Sequence, residues 1–348
     1  MAVLVTGGLG FIGSHAVVEL LQEGLDVVIV DDLSNSSKEV LSRIAKITGI
    51  KPFFYPFNVC KLNKLKEVFE KHIISEIIHF AGFKAVGESS SKPLEYYDNN
   101  LNSTLALLKM MEKYQVKKMI FSSSATVYGE RDDLPFNEGM TITHATNPYG
   151  ETKIMNEIIL RDVAISRPDY AITVLRYANP IGAHSSGLIG EKPSDIPNNL
   201  LPYIQRVASK KLNELAVFGD DYPTTDGTGV RDYIHVTDLA KGHVLALKKM
   251  VARTGFHVYN LGTGRGTSVL ELVAAFEREN HVKIPYRIAA RRSGDIATSY
   301  LDVTLAKNEL GFQTKLTIND AVRDAYRFEI RGSKLDKTKL LKKESIKK

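Results

Sequence analysis

Short apolar runs alternate with longer amphipathic stretches from the first residue to about residue 178. AVLVT, DVVIVD, KPFFYP, EIIHFAG, KKMIFSS and YAITVLRYANP have the length of strands, while FIGSHAVVELLQEG, VLSRIAKI, LKEVFEKH and LLKMMEKY carry the spacing of helices that bury one face. Strands that are apolar almost throughout, with a helix between each pair, have to be parallel and covered on both sides. The pattern predicts a doubly wound α/β domain over residues 1–178. After that the composition changes. Loops rich in Pro, Gly, Asp and Asn (GAHSSGLIGEKPSDIPNN, GDDYPTTDGTGVRD) separate isolated helices and short strands, which predicts a smaller C-terminal α/β lobe over 179–330 that closes on the first. GFHVYNLGTG, residues 255–264, reads as a further strand of the large sheet. Segments from about 235 to 265 are therefore expected to return to the first domain, leaving the two lobes interleaved. There is no internal repeat.

Composition narrows the class. The chain has 348 residues and a single cysteine, Cys60, so no disulfide framework can form within it. MAVLVTGG turns glycine-rich too soon for a signal peptide, and no apolar run reaches the length of a membrane span. A soluble cytoplasmic protein with no membrane partner is expected. The net charge of +6 is uneven: RGSKLDKTKLLKKESIKK, from Arg331, holds eight basic and two acidic side chains, leaving the body near neutral. Residues 331–348 read as a frayed, disordered basic tail. No basic stripe with interleaved aromatics occurs elsewhere, so no nucleic-acid partner is expected.

The first strand ends in TGGLGFIG and a helix follows at once. Gly7 turns the chain, Gly10 lets the backbone approach a pyrophosphate, and Gly13 lets the helix pack on the sheet while its first amides face the anion. With this context the domain reads as a Rossmann fold. DVVIVD ends in Asp31, placed to accept hydrogen bonds from an adenosine ribose and to repel a 2′-phosphate, so NAD is expected rather than NADP. Asn58 and Val59 follow the third strand and could hold the adenine edge. Phe80, Ala81, Gly82, Phe83 and Lys84 follow the fourth, with small residues where backbone must pass a dinucleotide. Asn99, in DNNLNST, has the alternative reading of a helix cap.

NPYGETK places Tyr149 and Lys153 four residues apart, hence on one face of a helix that starts near Pro148. An ammonium beside a phenol favours the phenolate and lowers a pKa otherwise near 10, which would make Tyr149 a general base. KKMIFSSSATVYG ends a strand in Ser122, Ser123 and Ser124, so a hydroxyl at the cleft mouth can share a substrate oxygen with Tyr149. Spacing alone leaves Y-x-x-x-K open as an ordinary surface pattern.

The glycine loop, Asp31, the serine strand, Tyr149 and Lys153, in this order, resemble the extended short-chain dehydrogenase/reductase family. HFAGFKAVGESSSKPLEYYDNN, FSSSATVYG, LRYANP, IPNNLLPYI and GTGVRDYIHVTDLA resemble its nucleotide-sugar 4-epimerase branch. The resemblance runs from Met1 to about residue 330. It implies a tightly held NAD and inversion of C4 of a UDP-hexose (glucose and galactose) through a transient 4-ketose. Tyr149 is then the proton acceptor, Ser124 its helper, and Lys153 the residue that binds the nicotinamide ribose. It also implies cofactor contacts at Phe11, Ile12, Asp31, Asp32, Leu33, Ser34, Asn35, Asn58, Val59, Phe80, Ala81, Gly82, Phe83, Lys84, Asn99 and Ala178. Sugar-nucleotide contacts are implied at Asn179, Asn199, Leu200, Ala216, Val217, Phe218, Arg231, Tyr233, Arg292 and Asp295, and a homodimer built on the helices around 93–114 and 150–166.

Three positions depart from the family pattern. Asn58 stands where an aspartate is common, keeping an oxygen acceptor without the charge. Ala178 replaces a phenylalanine beside the nicotinamide. Ser299 stands where relatives restricted to glucose and galactose tend to carry tyrosine, so an N-acetylated pair, UDP-GlcNAc and UDP-GalNAc, is also expected to fit. Competing readings are a 4,6-dehydratase or decarboxylase of the same fold, disfavoured because Ser124-Ala125-Thr126 lacks the acidic pair of a dehydratase, and a non-catalytic dinucleotide sensor. Arg231 and Tyr233 have the plainer reading of a loop ending before a helix capped near Thr237. The histidines lack metal-ligand spacing, and no metal is expected.

Overall fold

The computed structural model describes residues 1–193, 197, 199–292 and 295–346. Six strands, β1 (Ala2–Thr6), β2 (Asp26–Val30), β3 (Phe53–Tyr55), β4 (Ile74–His79), β5 (Lys118–Ser122) and β6 (Ala171–Tyr177), form in the first half of the chain. They alternate with α1 (Phe11–Gln22), α2 (Glu39–Thr48), α3 (Leu62–Lys71), the short α4 (Val86–Ser91), α5 (Pro93–Tyr114) and α6 (Pro148–Ser166). A seventh strand, Gly255–Leu261, lies parallel beside β6. The sheet order is β3-β2-β1-β4-β5-β6 and then 255–261, with every pair parallel. The order reverses between β1 and β4, which opens a crevice at the carboxyl ends of these strands.

Strand alternation divides the core in two. Val3 and Val5 of β1 face a layer containing Val17 and Leu20 of α1, Ile44 of α2, and Leu239 and Leu247 of the helix Val236–Lys249. Ala2 and Leu4 point the other way, toward Leu65 of α3, Leu107 of α5 and Leu160 of α6. The helix from residue 236 and the strand from 255 thus pack with the first domain although elements of the smaller lobe lie on both sides of them in the chain. The smaller lobe has its own core, in which Ile204, Val217, Phe276 and Val322 bring together the helices Leu200–Ala208, Val269–Asn280 and Ile318–Ile346. Ser268 and Glu271 start the middle helix with a reciprocal capping box.

The last helix continues to Ile346, well into the basic segment that reads as a frayed tail. Lys, Leu and Glu are good helix formers and no proline interrupts them, so repulsion between like charges is not a helix stop. Among the described residues no helix is long and apolar enough to cross a membrane.

Candidate active site

The glycine loop is closed by sterics that leave no room for side chains. Gly7 has φ +68, and a Cβ there would lie 2.8 Å from the amide nitrogen of Ala81. A Cβ on Gly13 would lie 2.2 Å from the carbonyl oxygen of Gly7. α1 begins after Gly10 with no side chain capping its first turn, so its amides stay available to an anion. The cradle fits a dinucleotide pyrophosphate. Asp31, buried at the end of β2, accepts from the amides of Leu9 (2.9 Å) and Leu33 (2.9 Å) and from the Ser36 hydroxyl (2.7 Å). It therefore holds the loop and the turn together, and Ser36 is a partner that motif spacing did not single out.

The adenine end differs from expectation. Asn58 turns its Nδ2 toward Asp32 (2.9 Å) and Asn99 (3.1 Å), while its oxygen accepts from the Cys60 amide at 2.9 Å. The oxygen expected to meet an adenine amine is thus engaged with the backbone. Val59 packs its side chain in the core. Asn99 lies inside α5 and is no cap. Its neighbour Asn100, buried, is the more connected residue: it bonds the amide and carbonyl of Phe83 at 2.8 and 3.1 Å and Thr152 of α6 at 3.0 Å. A buried asparagine on a long helix gives no signal in the sequence beyond its polarity.

Three consecutive serines end β5, and each does something different. The Ser122 carbonyl accepts from Lys153 Nζ at 2.7 Å, and its hydroxyl bonds the Tyr177 hydroxyl. Ser123 donates to Glu157 at 2.5 Å, and Glu157 is clamped by Arg176, whose Nη2 lies 2.6 Å from it. Ser124 caps the short 3₁₀ turn Ala125–Tyr128, its hydroxyl accepting from the Thr126 amide at 3.2 Å, and stands beside the Tyr149 phenol. α6 starts with Asn147 as N-cap, its side chain accepting from Gly150 at 2.9 Å, and Pro148 in the first turn. That start sets Tyr149 toward Ser124 and Lys153 one turn below it.

The electrostatics correct one expectation. Burial pushes the Tyr149 phenol up to about 12, opposed only by its bond to Ser124. Burial also draws Lys153 down to about 8, with the Glu157 carboxylate opposing. The ammonium lies 5.7 Å from the centre of the Tyr149 ring and is committed to Ser122. Without a ligand it does not acidify the phenol, because desolvation outweighs attraction at that distance. Tyr177 was not anticipated. It is buried, bonded to Ser122, and raised by burial and by its proximity to Tyr149. Ala178, one residue on, is also buried and packs in the core.

The second lobe brings several expected residues to one place. The Arg292 guanidinium lies 4.9 Å from the centre of the Phe218 ring and bonds Asp295 at 2.8 and 3.2 Å. Phe218 and Ala216 alternate outward along their strand, whereas Val217 points into the lobe's core, so a side-chain role for Val217 does not hold. Arg231 donates to the carbonyl of Val230 at 2.8 Å, and Tyr233 is buried within electrostatic reach of Arg231, Arg292 and Asp295. The helix after them is capped by His235, whose ring accepts from the Thr237 amide. Ser299 pairs with Arg231 across the short strands, half-buried. Asn179 is exposed at the start of its strand, and Leu200 opens the helix after Asn199. Among the described residues no group of His, Cys, Asp and Glu could hold a metal.

A glycine cradle at the β1/β4 reversal, with a tyrosine, a serine and a lysine gathered at the end of β5 and the start of α6 of the same domain, fits a dinucleotide-dependent enzyme. Residues 3–262 match the NAD dependent epimerase/dehydratase family, and the chain belongs to it. It is 54% identical to a UDP-glucose 4-epimerase of Bacillus subtilis (strain 168), covering 94% of this chain and 97% of that protein. Among solved structures it is similar to the UDP-glucose 4-epimerase of Stenotrophomonas maltophila with bound NAD and formylated UDP-arabinopyranose, at 48% identity and TM-score 0.94 over 96% of this chain and 99% of that one. It is likewise similar to the UDP-glucose 4-epimerase from Bifidobacterium longum in complex with NAD+ and UDP, at 52% identity and TM-score 0.92 over 95% and 98%.

Proposed function

We propose that the protein interconverts the C4 epimers of a UDP-linked hexose, glucose and galactose, with NAD as resident cofactor. The observation that supports this is the start of α6, which sets Tyr149 beside Ser124 with the Lys153 ammonium 5.7 Å from the phenol ring, next to the strand ends of the sheet that carries the glycine cradle. NAD held in the cradle would supply a reversible hydride acceptor for C4 of the sugar. Tyr149 takes the C4 hydroxyl proton and later gives it back, Ser124 orients that oxygen, and Lys153 holds a ribose hydroxyl. The ketose, held through its UDP, turns over and is reduced on its other face, so nothing is oxidised overall. Phe218, Arg292 and Arg231 hold the nucleotide, with guanidinium forks suited to phosphate oxygens.

Ser299, paired with Arg231 across the short strands, carries a much smaller side chain than tyrosine, which supports acceptance of UDP-GlcNAc and UDP-GalNAc. The exposed apolar side chains Leu94 and Leu105 of α5 and Met155, Ile158 and Ile165 of α6 favour a homodimer through these two helices. The half-buried free Cys60 fits a reducing cytoplasm. Purified protein without added NAD is to be incubated separately with UDP-glucose, UDP-GlcNAc and UDP-glucuronate. Formation of the C4 epimer of the first two is expected, and a 4-keto-6-deoxy or decarboxylated product would replace this reading.

A further inference from the structure

Between Arg231 and Tyr233 stands a carboxylate that faces inward: Asp232 is 1% exposed. Its Oδ1 accepts from the Thr263 amide at 2.9 Å and from the Thr263 hydroxyl at 2.6 Å, and its Oδ2 accepts from the Gly264 amide at 3.1 Å. Thr263 and Gly264 follow the strand Gly255–Leu261 of the large sheet. Gly262, just before them, has no room for a side chain, because a Cβ there would lie 2.4 Å from Oδ2 of Asp232. The main chain of Asp232 joins two further segments. Its amide donates to the Ser299 carbonyl at 2.9 Å, and its carbonyl accepts from the Asn179 amide at 3.0 Å. Burial pushes the Asp232 carboxyl up, opposed by the Thr263 hydroxyl and the amides. This is a costly place for a charge, so stability alone does not account for it.

We propose that Asp232 is a positioning residue that fastens the strands bearing Arg231 and Ser299 to the domain that carries the glycine cradle and Tyr149. The inference rests on the sugar-nucleotide reading above. The carboxylate sits at the carboxyl ends of two neighbouring strands of the large sheet, since the Cβ position of Gly262 that it crowds lies 3.4 Å from Cβ of Ala178, the residue after β6. Arg231 precedes Asp232 in the chain and pairs with Ser299, whose carbonyl Asp232 binds. Slack in these bonds would let the sugar end of a substrate shift against Tyr149, and a misplacement of about 1 Å can cost on the order of 100-fold in rate. The nucleotide end depends on a different pair of strands. Phe218 ends the strand Leu215–Phe218, which pairs with Tyr286–Ala289, and Arg292 stacks on the Phe218 ring.

The test compares NAD-loaded wild type, Asp232→Asn and Thr263→Val by steady-state epimerisation of UDP-glucose, calorimetric titration with UDP, and NAD content. Asp232→Asn keeps the shape but turns an amide group toward amide donors. Thr263→Val keeps the carboxylate and removes its shortest bond. The first is expected to lower kcat at least about tenfold and the second at least about threefold, each binding UDP within about twofold of the wild type and retaining NAD. Turnover of Thr263→Val equal to the wild type overturns the proposal whatever Asp232→Asn does, so a failure of Asp232→Asn to fold leaves the decision intact. Loss of UDP affinity in step with kcat, or loss of NAD, in Thr263→Val also overturns it, because either would mark general support of the fold. A wild type that neither binds UDP nor epimerises UDP-glucose would remove the sugar-nucleotide reading, and this proposal with it.

Discussion

Lys153 does not reach the hydroxyl of Tyr149. Its Nζ lies 2.7 Å from the Ser122 carbonyl and 4.8 Å from the centre of the Phe121 ring, and Ser124 alone assists the phenol. A phenol held near 12 is protonated at neutral pH, so bound NAD, with a cationic nicotinamide ring, has to supply the remaining attraction. Absorbance at 295 nm, taken as wild type minus Tyr149→Phe, is expected to show no tyrosinate from this residue below about pH 11 in NAD-stripped protein. Ionisation at lower pH is expected once NAD is restored. Tyr149→Phe should retain NAD and lose about 10²–10⁴-fold in turnover. Tyrosinate at pH 7 without NAD would contradict the geometry.

Lys153 is buried with a pKa drawn down to about 8 from the ordinary 10.5. Between those values the unfolded chain binds a proton that the folded chain does not, so stability rises with pH across the window and is lowest below it. Replacing the buried charge with an apolar chain of similar length should help folding and abolish chemistry. Lys153→Met in the NAD-free protein at pH 7 is expected to melt a few degrees higher, for about 1 kcal/mol, with turnover down by at least about 100-fold. A lower melting temperature would mean that the bond to Ser122 outweighs desolvation.

Three histidines are buried in neutral form: burial takes His15 and His79 down to about 3 and His243 to about 4. Each is depressed from 6.5, so the unfolded chain takes up protons first as pH falls, and stability is lost from about pH 6.5 downward. The cost is on the order of 2 kcal/mol per histidine by pH 5. Urea midpoints at pH 7 and pH 5 read this directly. An unchanged midpoint would show that these rings take up protons in the fold.

Gly13→Ala places a methyl group against the Gly7 carbonyl, whose oxygen lies 2.2 Å from the required Cβ position. Backbone must move on both sides of the pyrophosphate cradle. Purified variant is expected to carry less than about a tenth of the wild-type NAD, a loss of over 1.4 kcal/mol in binding, with far-UV circular dichroism retained. Full NAD occupancy would show that the loop relaxes at little cost.

Ser299→Tyr is expected to lower kcat/KM for UDP-GlcNAc by at least about tenfold, on the order of 1.4 kcal/mol, and leave UDP-glucose within about threefold. Steady-state kinetics on both substrates decides it. An unchanged ratio would disconnect this position from the sugar's C2 substituent.

The parallel sheet, the glycine loop and the Tyr149/Lys153 face were legible along the chain because each is a local pattern. A strand buried on both sides is apolar throughout, a helix repeats every 3.6 residues, and glycine marks a backbone that tolerates no side chain. Asn100, Tyr177, Glu157 and Glu191 gave no such mark. Their partners lie far away in the chain, at Phe83, Ser122, Arg176 and Lys84, and only folding makes them neighbours.

Sequence order by itself determined which residues fall at strand ends and which share one face of a helix, since helical and strand spacing decide which side of an element each side chain takes. The tertiary structure decided their charge states and their hydrogen-bond partners. A four-residue spacing sets Lys153 near Tyr149, but whether the ammonium acidifies the phenol depends on how much water the surrounding lobes remove and on which carbonyl captures the lysine first. Desolvation is a property of the packed molecule, and no local pattern of residues encodes it.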